Sequence, residues 1–337
     1  MTGALAVIHN PISLSMLLAD LQARGISCRQ TNVITLRQIA LPRDDFASVL
    51  EYPGTAADGI LAQRRFVGFY REAAQLLRRK LSDPALEHLY VINNDNVLNS
   101  HLLETARCDG REVTVVAEGL MNYFDAGDHN LDPWRLRVKP VLARLLGLRY
   151  AAPLGHQSGA FHPAVSRVVS FSADGLRAPA ERVVVRRWPV DAARHVIAEP
   201  DIGIIVHTSL ARMMPEPEYR VFALGYAQWI AAQGFRRLYA KRHPRSRDPM
   251  LESLLPPHEV IDDERPIEEL VGELEAGVVV GPGTTPLVTL KLMCPELRCI
   301  DFGADYYVPI VYKGGVGASA LFAAAGVESV PFWAVVG

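Results

Sequence analysis

The chain has 337 residues, a length that predicts two domains at about 100–200 residues each. Hydrophobic residues make up 49% and charged residues 21% of the sequence, which is typical of a folded globular protein. Lys and Arg number 35 against 37 Asp and Glu, for a net charge of -2. No overall positive field recruits nucleic acid, so nucleic acid is excluded as a partner and an anionic ligand must be bound by local groups.

Four cysteines are scattered through the chain without a CxxC pair, and no spacing among them matches a zinc site; they are Cys28, Cys108, Cys294 and Cys299. They are predicted to be reduced core thiols. The first residues do not combine a basic segment, a long apolar run and a cleavage site, and no stretch approaches the ~18 consecutive apolar residues that span a bilayer. We therefore expect a cytoplasmic protein with no metal site.

In the first half of the chain, short apolar runs alternate with longer amphipathic stretches, the pattern of βα units in a parallel sheet. Strands are predicted at residues 4–9, 88–93 and 112–118. Helices are predicted at 13–25, with Ser13 as N-cap and Gly25 as the stop, at 96–106 and at 133–148.

The region from 151 to 200 has no clear period, and residues 186–200 are predicted to cross between domains. The alternation then resumes, with strands predicted at 201–209, 236–241 and 277–283 and helices at 219–234, 266–277 and 284–293. This order predicts two doubly wound Rossmann-like α/β domains, residues 1–195 and 196–337, facing a central cleft. The arrangement resembles the GT-B architecture of nucleotide-sugar glycosyltransferases and of some epimerases. In such sheets, ligands bind beyond the carboxyl ends of the strands.

Two places of interest follow strands in the first half. At residues 8–15, a strand breaks at Asn10 into a serine-rich helix start whose amides could contact a ligand, although an ordinary capped turn has the same composition. Glu118 and Gly119 follow the strand at 112–118. A carboxylate there could accept a proton from an attacking hydroxyl, or it could be a surface glutamate at a turn.

A basic segment, residues 238–249 (LYAKRHPRSRDP), follows a strand in the second half. Arg242 and Arg245 offer planar donor forks for phosphate or carboxylate, and His243 can donate to a phosphate oxygen. Pro244 restricts the turn after the histidine. The segment suits an anionic ligand, and the alternative is a solvated basic turn.

The stretch 278–290 (VVVGPGTTPLVTL) combines a strand, a glycine turn and a helix start. Gly283, Thr284 and Thr285 would place backbone N–H groups and two hydroxyls at a helix N-terminus, a suitable phosphate site. The P-loop pattern is absent, and such capped turns also occur without ligands.

The order of these motifs, Glu118-Gly119, then His243-Pro244, then Thr284-Thr285, resembles the bacterial sialyltransferases and polysialyltransferases of GT-B type. That family carries an acidic-acidic-Gly motif, a His-Pro motif and a Ser-Ser or Ser-Thr motif. The resemblance implies a metal-independent transfer from a CMP-sugar donor to a glycan acceptor, with no other cofactor.

The resemblance also implies roles for individual residues. Glu118 would be the general base on the acceptor hydroxyl, and His243 would contact the donor phosphate and assist CMP departure. The donor-binding residues would be Asn10, Arg242, Pro244, Arg245, Gly283, Thr284 and Thr285. Ala117 replaces the first acidic residue of the family motif, and if the base aligns there, Asp95 or Asp125 would serve.

Several alternatives stay open. Other CMP-linked nonulosonic acids carry the same anions as CMP-sialic acid. A UDP-sugar 2-epimerase or a UDP- or GDP-sugar transferase would use His243 and the arginines for a diphosphate, and a GT-B protein without turnover would bind nucleotide or glycan only. Residues 133–149 interleave basic and apolar positions and could contact an anionic membrane beside a lipid-linked acceptor, or form a helix with a solvated face. The oligomeric state is open.

Overall fold

A computed structural model describes residues 3–37, 39, 41–52, 60–117, 119–123, 133–187, 198–243, 248–263, 265, 267–311 and 317–336. The chain divides into two compact units. Unit 1 comprises Met1–Asn122 and Ala126–Pro189, and unit 2 comprises Tyr123–Asp125 and Val190–Gly337. The predicted crossing at 186–200 lies largely outside the described residues.

Within the described residues, unit 1 is built on seven parallel strands in the order β3-β2-β1-β4-β5-β6-β7. Its elements are β1 (Gly3–Ile8), α1 (Pro11–Ala23), β2 (Thr31–Thr35), β3 (Ser48–Glu51), α2 (Ile60–Leu81), β4 (Leu86–Val91), α3 (Val97–Asp109), β5 (Val113–Val116), α4 (Pro133–Leu145), β6 (Val165–Ser170) and β7 (Val183–Val185). The three strands predicted in this half are confirmed as β1, β4 and β5, with ends shifted by one or two residues.

Helix α1 begins earlier than predicted, and Ser13 is not its N-cap. Asn10 is extended, with φ -153° and ψ 166°, and its side-chain oxygen accepts the Ser13 N–H at 2.8 Å. Pro11 takes the first helical position, where a missing N–H costs nothing. The Ser13 hydroxyl in turn accepts the Asn10 N–H at 3.2 Å, which completes a reciprocal cap.

Asp20 on α1 ties that helix to the sheet of unit 1. Its side chain is fully buried and accepts hydrogen bonds from Tyr90 on β4 at 3.1 Å and from Arg167 on β6 at 3.0 Å. Arg186, just after β7, donates at 2.9 Å. A buried carboxylate needs such partners to offset its lost hydration, so this group fixes α1 across three strands.

Within the described residues, unit 2 is built on six parallel strands in the order β10-β9-β8-β11-β12-β13. Its elements are β8 (Glu199–Val206), α5 (Leu210–Met213), α6 (Glu216–Ala232), β9 (Arg237–Lys241), α7 (Pro249–Leu254), β10 (Glu259–Ile261), α8 (Ile267–Leu270), β11 (Ala276–Gly281), α9 (Thr285–Met293), β12 (Arg298–Phe302), α10 (Ala304–Val311), α11 (Gly317–Ala325), β13 (Glu328–Val330) and α12 (Trp333–Val336). Both units are therefore doubly wound Rossmann-like α/β sheets.

Aromatic side chains fill the core on one face of the second sheet. Phe222 on α6 packs between Tyr226, Phe302 and Phe332, with ring centroids about 6 Å apart. Tyr307 on α10 meets Phe222 edge to face at 6.2 Å. Such pairs stabilise beyond their buried area, and they hold α6 and α10 on the same side of the sheet.

Two further sequence expectations are wrong, one on a helix and one on the burial of the cysteines. The helix predicted at 266–277 is only α8, because the chain turns after Leu270 and Glu275 takes a left-handed conformation with φ 54° before β11. Cys108 is exposed and Cys28 half-buried, so only Cys294 and Cys299 are core thiols. Among the described helices, none combines the length and apolar character needed to cross a bilayer.

Candidate functional site

The carboxyl edge of the unit 2 sheet contains the point where strand order reverses. Strand β8 lies between β9 and β11, and the chain proceeds from β8 toward β9 on one side and from β11 toward β12 on the other. Ligands of doubly wound sheets bind at this point. His207 follows β8 here, and the turn at 281–285 follows β11. The His207 N–H donates to the Lys241 carbonyl at 2.9 Å, which places the end of β9 beside it.

Two glycines shape the turn after β11. A Cβ on Gly281 would lie 2.8 Å from the Val206 carbonyl oxygen, so only glycine allows β11 to pass this close to the end of β8. Gly283 has φ +57°, and a Cβ there would lie 2.9 Å from the Tyr307 hydroxyl. Both the backbone conformation and the space therefore require glycine.

Asp301, a buried carboxylate at the end of β12, fixes this turn by hydrogen bonds. Its Oδ1 accepts the Gly283 N–H at 2.7 Å and the Tyr307 hydroxyl at 3.0 Å. Burial raises the pKa of Asp301 to about 7, against the lowering effect of these two hydrogen bonds. Sequence reasoning missed Asp301, although an acidic residue in the apolar run CIDF was a usable indication.

Helix α9 begins directly at the turn. Thr284 is its N-cap and is buried, but its side chain makes no capping hydrogen bond. The first N–H groups of a helix have no intrahelical acceptor, and Thr285 at the first helical position is half-buried. The structure thus brings Gly283, Thr284 and Thr285 together at a helix N-terminus, an arrangement that favours anions.

His207, at the same sheet edge, is a buried histidine whose ring lacks hydrogen-bond partners among the described residues. It is 2% exposed, and neither ring nitrogen has a hydrogen-bond partner in the described part of the chain. Burial lowers the pKa of His207 to about 4, and the positive charges of Arg242 and His243 act in the same direction against Glu252. A buried imidazole without a partner costs free energy and can both donate and accept.

The segment that carries the His-Pro motif is anchored on both sides. Arg242 donates two hydrogen bonds to Glu252 on α7, at 2.8 and 2.7 Å, and its side chain is 38% exposed. Asp248 caps α7, and the buried Tyr219 hydroxyl on α6 donates to it. His243 is half-buried at the end of β9. These contacts fix the backbone before and after the motif.

Pro244 and Arg245 lie outside the described residues. Glu118 also lies outside them, although its neighbours are placed. Ala117 directly follows β5, is buried, and donates its N–H to the Val169 carbonyl at 2.9 Å. Gly119 has φ 121°. Ala117 and Gly119 therefore follow the carboxyl end of a strand in unit 1.

The other unit 1 candidates are engaged within their own domain. Asn10 caps α1, and its chain neighbours lie at the end of β1. Asp95, one of the alternative bases, forms an ion pair with Lys139 on α4 and keeps a side chain that is 41% exposed. Asp125 lies outside the described residues. Arg242, His243 and 283–285 thus share one sheet edge in unit 2, whereas Asn10 and Asp95 belong to unit 1.

Asn94 in unit 1 was not singled out by its sequence context. It follows β4, which adjoins β1 at the point where strand order reverses in this sheet. It is fully buried, and in the described part of the chain neither side-chain amide atom has a partner. Its backbone N–H donates to the Gln157 carbonyl at 2.8 Å. Composition offers no indication of such burial, because asparagine is common in exposed turns.

Comparison with known proteins adds the fold class. No family model matches the sequence, and no curated protein matches it. Among solved structures, an alpha/beta-galactoside alpha-2,3-sialyltransferase from Photobacterium phosphoreum is similar, with a TM-score of 0.52 and 9% identity over 98% of this chain and 99% of that chain. A UDP-GlcNAc 2-epimerase from Neisseria meningitidis is also similar, with a TM-score of 0.50 and 9% identity over 99% of this chain and 89% of that chain. The chain has the fold of GT-B glycosyltransferases and epimerases.

Proposed function

We propose that this protein is a metal-independent glycosyltransferase that moves sialic acid, or a related nonulosonic acid, from a CMP-sugar to a hydroxyl of a glycan acceptor. One observation carries the proposal: the glycine turn, the N-terminus of α9 and two histidines meet at the carboxyl edge of the unit 2 sheet. A phosphate there would receive backbone amides, hydroxyls and a histidine donor without a metal ion. A cytoplasmic location belongs to the same proposal.

The proposed reaction is a single displacement. The acceptor oxygen forms a bond to the anomeric carbon, and the bond from that carbon to the phosphate oxygen breaks with its electron pair on CMP. The acceptor proton passes to Glu118. His243 donates to the phosphate oxygen on which charge develops, and the α9 N-terminus with Thr284 and Thr285 stabilises the same charge.

In this proposal some donor-binding residues contact the phosphate directly and others act at a distance. Thr285 and the N–H groups at the start of α9 bind the phosphate directly, whereas the Gly283 N–H is already donated to Asp301. Arg242, already held by Glu252, contributes mainly by its field, and Pro244 and Arg245 continue the basic rim. Asn10 would contribute by holding the start of α1, so that the backbone N–H groups of that turn can contact the donor. The sialyltransferase of similar fold supports the choice of architecture, and the motif order supports the choice of donor.

The test is a thermal-shift titration with CMP, UDP and GDP in EDTA, because a ligand that binds only the folded state raises the melting temperature. We expect CMP to stabilise the wild type and to lose most of this effect in His243→Ala. His88→Ala, a histidine in unit 1, is the matched control and should behave as wild type. Transfer from CMP-sialic acid in EDTA should then depend on Glu118, with Glu118→Gln at least 100-fold slower.

Two outcomes would replace the proposal. Stabilisation by UDP or GDP in preference to CMP would favour a UDP-sugar epimerase or another nucleotide-sugar transferase. CMP binding without hydrolysis or transfer, unaffected by Glu118→Gln, would indicate a binding protein without turnover.

A further inference from the structure

We propose that helices α2 and α4 of unit 1 form a surface that binds anionic lipid bilayers. We call it the α2/α4 face and define it by Arg71, Arg78, Arg144, Val138, Val141 and Leu145. The proposal rests on exposed apolar positions, unpaired arginines and a cavity between them. It is independent of the chemistry proposed for unit 2.

The apolar part of the face is a stripe on α4. Val138, Val141 and Leu145 are 40%, 59% and 80% exposed. Their spacing of three and four residues places them on one side of the helix. A run of large aliphatic side chains in contact with water is unfavourable by roughly 25 cal/mol per Å², and a single exposed leucine would be unremarkable, but an aligned stripe indicates a partner.

The charge of these two helices differs from that of the whole chain. The sequence of α2 contains six Lys and Arg residues and one acid, Glu72, and that of α4 contains four Lys and Arg residues and no acid. The chain overall has a net charge of -2. Positive charge is therefore concentrated on these helices, which favours an anionic partner.

Three arginines of the face surround a cavity of about 350 Å³. Arg71 and Arg78 from α2 and Arg144 from α4 line it together with Leu145. Within the described part of the chain, none of these arginines pairs with a carboxylate. Other exposed arginines do pair, such as Arg298 with Glu328 at 2.9 Å. Three converging unpaired guanidinium groups suit a phosphate group of lipid headgroup size.

The combination of features selects a bilayer over other anionic partners. A nucleic acid or a free polyanion would use the arginines but would leave the stripe of Val138, Val141 and Leu145 in water. A helix that lies on a membrane uses both, with apolar residues at the acyl boundary and basic residues at the headgroups. The stripe and the arginines meet at Leu145, which lines the cavity itself.

The test is co-sedimentation of the full chain with phosphatidylcholine vesicles, with and without phosphatidylglycerol. We expect binding only with phosphatidylglycerol, and weaker binding as salt is raised. R71Q/R78Q/R144Q should bind on the order of 100-fold more weakly, since each basic residue near an anionic surface contributes about fivefold. V141S/L145S should also lose most binding, because the acyl contact is removed.

Matched controls use another face of the protein. V221S/L224S removes two apolar residues of α6 that are 45% and 43% exposed, and R236Q/R237Q/R298Q removes three paired charges; both should bind as wild type. R71K/R78K/R144K keeps the charge and should retain most binding, which separates loss of charge from loss of folding.

Three results would overturn the proposal. The first is no binding of the wild type to phosphatidylglycerol vesicles. The second is binding that survives V141S/L145S and is matched by polyphosphate, which would indicate a soluble polyanion. The third is a dimer in gel filtration that V141S/L145S dissociates, which would indicate a second copy of the chain as the occupant.

Discussion

His207 combines burial with a titratable ring, and this couples the stability of unit 2 to pH. Its pKa is lowered from 6.5 to about 4 by burial, so the unfolded state binds more protons than the folded state between these values. Stability should therefore fall as pH drops from about 6.5 to about 4, by up to roughly 3 kcal/mol from this residue. Urea unfolding of the wild type and His207→Gln across this range should show a flatter dependence in the variant.

Asp301 provides the matched comparison because its shift has the opposite effect. Burial raises its pKa from 3.8 to about 7, so the folded state keeps a proton that the unfolded state releases, and stability falls as pH rises through this window. Asp301→Asn should gain stability relative to wild type as pH increases from about 4 to about 7. Parallel curves for wild type and both variants would contradict both assignments.

At the level of single residues, sequence reasoning found groups whose chemistry is visible in a local pattern. Arg242 and His243 follow a strand, and Thr284 begins a helix, as predicted. His207 lies within the strand predicted at 201–209 but was not proposed as a site residue, and neither were Asp301 and Asn94. Their importance depends on burial and on partners distant in sequence, such as Tyr307 for Asp301, and local patterns contain neither.

Among the structural elements, the turn between β11 and α9 allows a controlled test. Gly283→Ala and Gly234→Ala both place a Cβ at positive φ, +57° and +66°, but only the first meets a neighbour, the Tyr307 hydroxyl at 2.9 Å. Positive φ costs about 1–2 kcal/mol in either variant. Gly283→Ala should lose a further 1–3 kcal/mol or so from crowding. Thermal unfolding measures the difference, and equal losses would show that the turn adapts.

The anchoring of the His-Pro segment is a second property of the elements. Glu252→Gln removes the charged partner of Arg242, and Glu259→Gln removes that of Arg237, an exposed pair at the other end of β9. Since both arginines are at least a third exposed, solvent screens both ion pairs and the stability should change little in either variant. The proposed transfer should fall several-fold in Glu252→Gln only. Steady-state kinetics would distinguish the two variants. Equal activities would show that the contact between Arg242 and α7 does not contribute to the proposed transfer.

Elements with a strong period or a clear boundary were predictable. Strands β1, β4, β5, β8, β9 and β11 and helices α1, α3, α4, α6 and α9 agree with their sequence patterns, whereas α7 after β9 was not assigned. Helix α2 and strand β6 were not assigned, and the helix predicted at 266–277 was wrong. In that segment the helical pattern continues through Glu275, but the chain must reach β11 within a few residues, so the connection to the sheet decides where α8 ends.

For the whole molecule, hydrogen exchange can show which of the two units binds the donor. If unit 2 binds CMP as proposed, hydrogen exchange should slow at 206–209 and at 283–287, where amides line the sheet edge. It should remain unchanged in α2 of unit 1. A comparison of exchange with and without CMP checks this, and protection confined to unit 1 would exclude the proposed donor site.

The two-domain α/β organisation was predicted because alternation of strands and helices is a property of the entire sequence. The parallel order of both sheets agrees with that prediction, and so does the GT-B fold class. Which nucleotide the protein would bind under our proposal depends on a few side chains at one sheet edge, and solved structures that are 9% identical show the architecture alone.

If the glycine turn binds a nucleotide as proposed, the buried carboxylate of Asp301 would couple that binding to proton exchange with the buffer. Asp301, with a pKa of about 7, is partly charged near neutral pH, and a phosphate bound above Gly283 would raise that pKa further by repulsion. Binding should then draw a fraction of a proton from solution. Calorimetric titrations of CMP in buffers of different ionisation enthalpy should give heats that differ for the wild type and coincide for Asp301→Asn. The same turn would thereby make donor affinity weaken as the medium becomes alkaline.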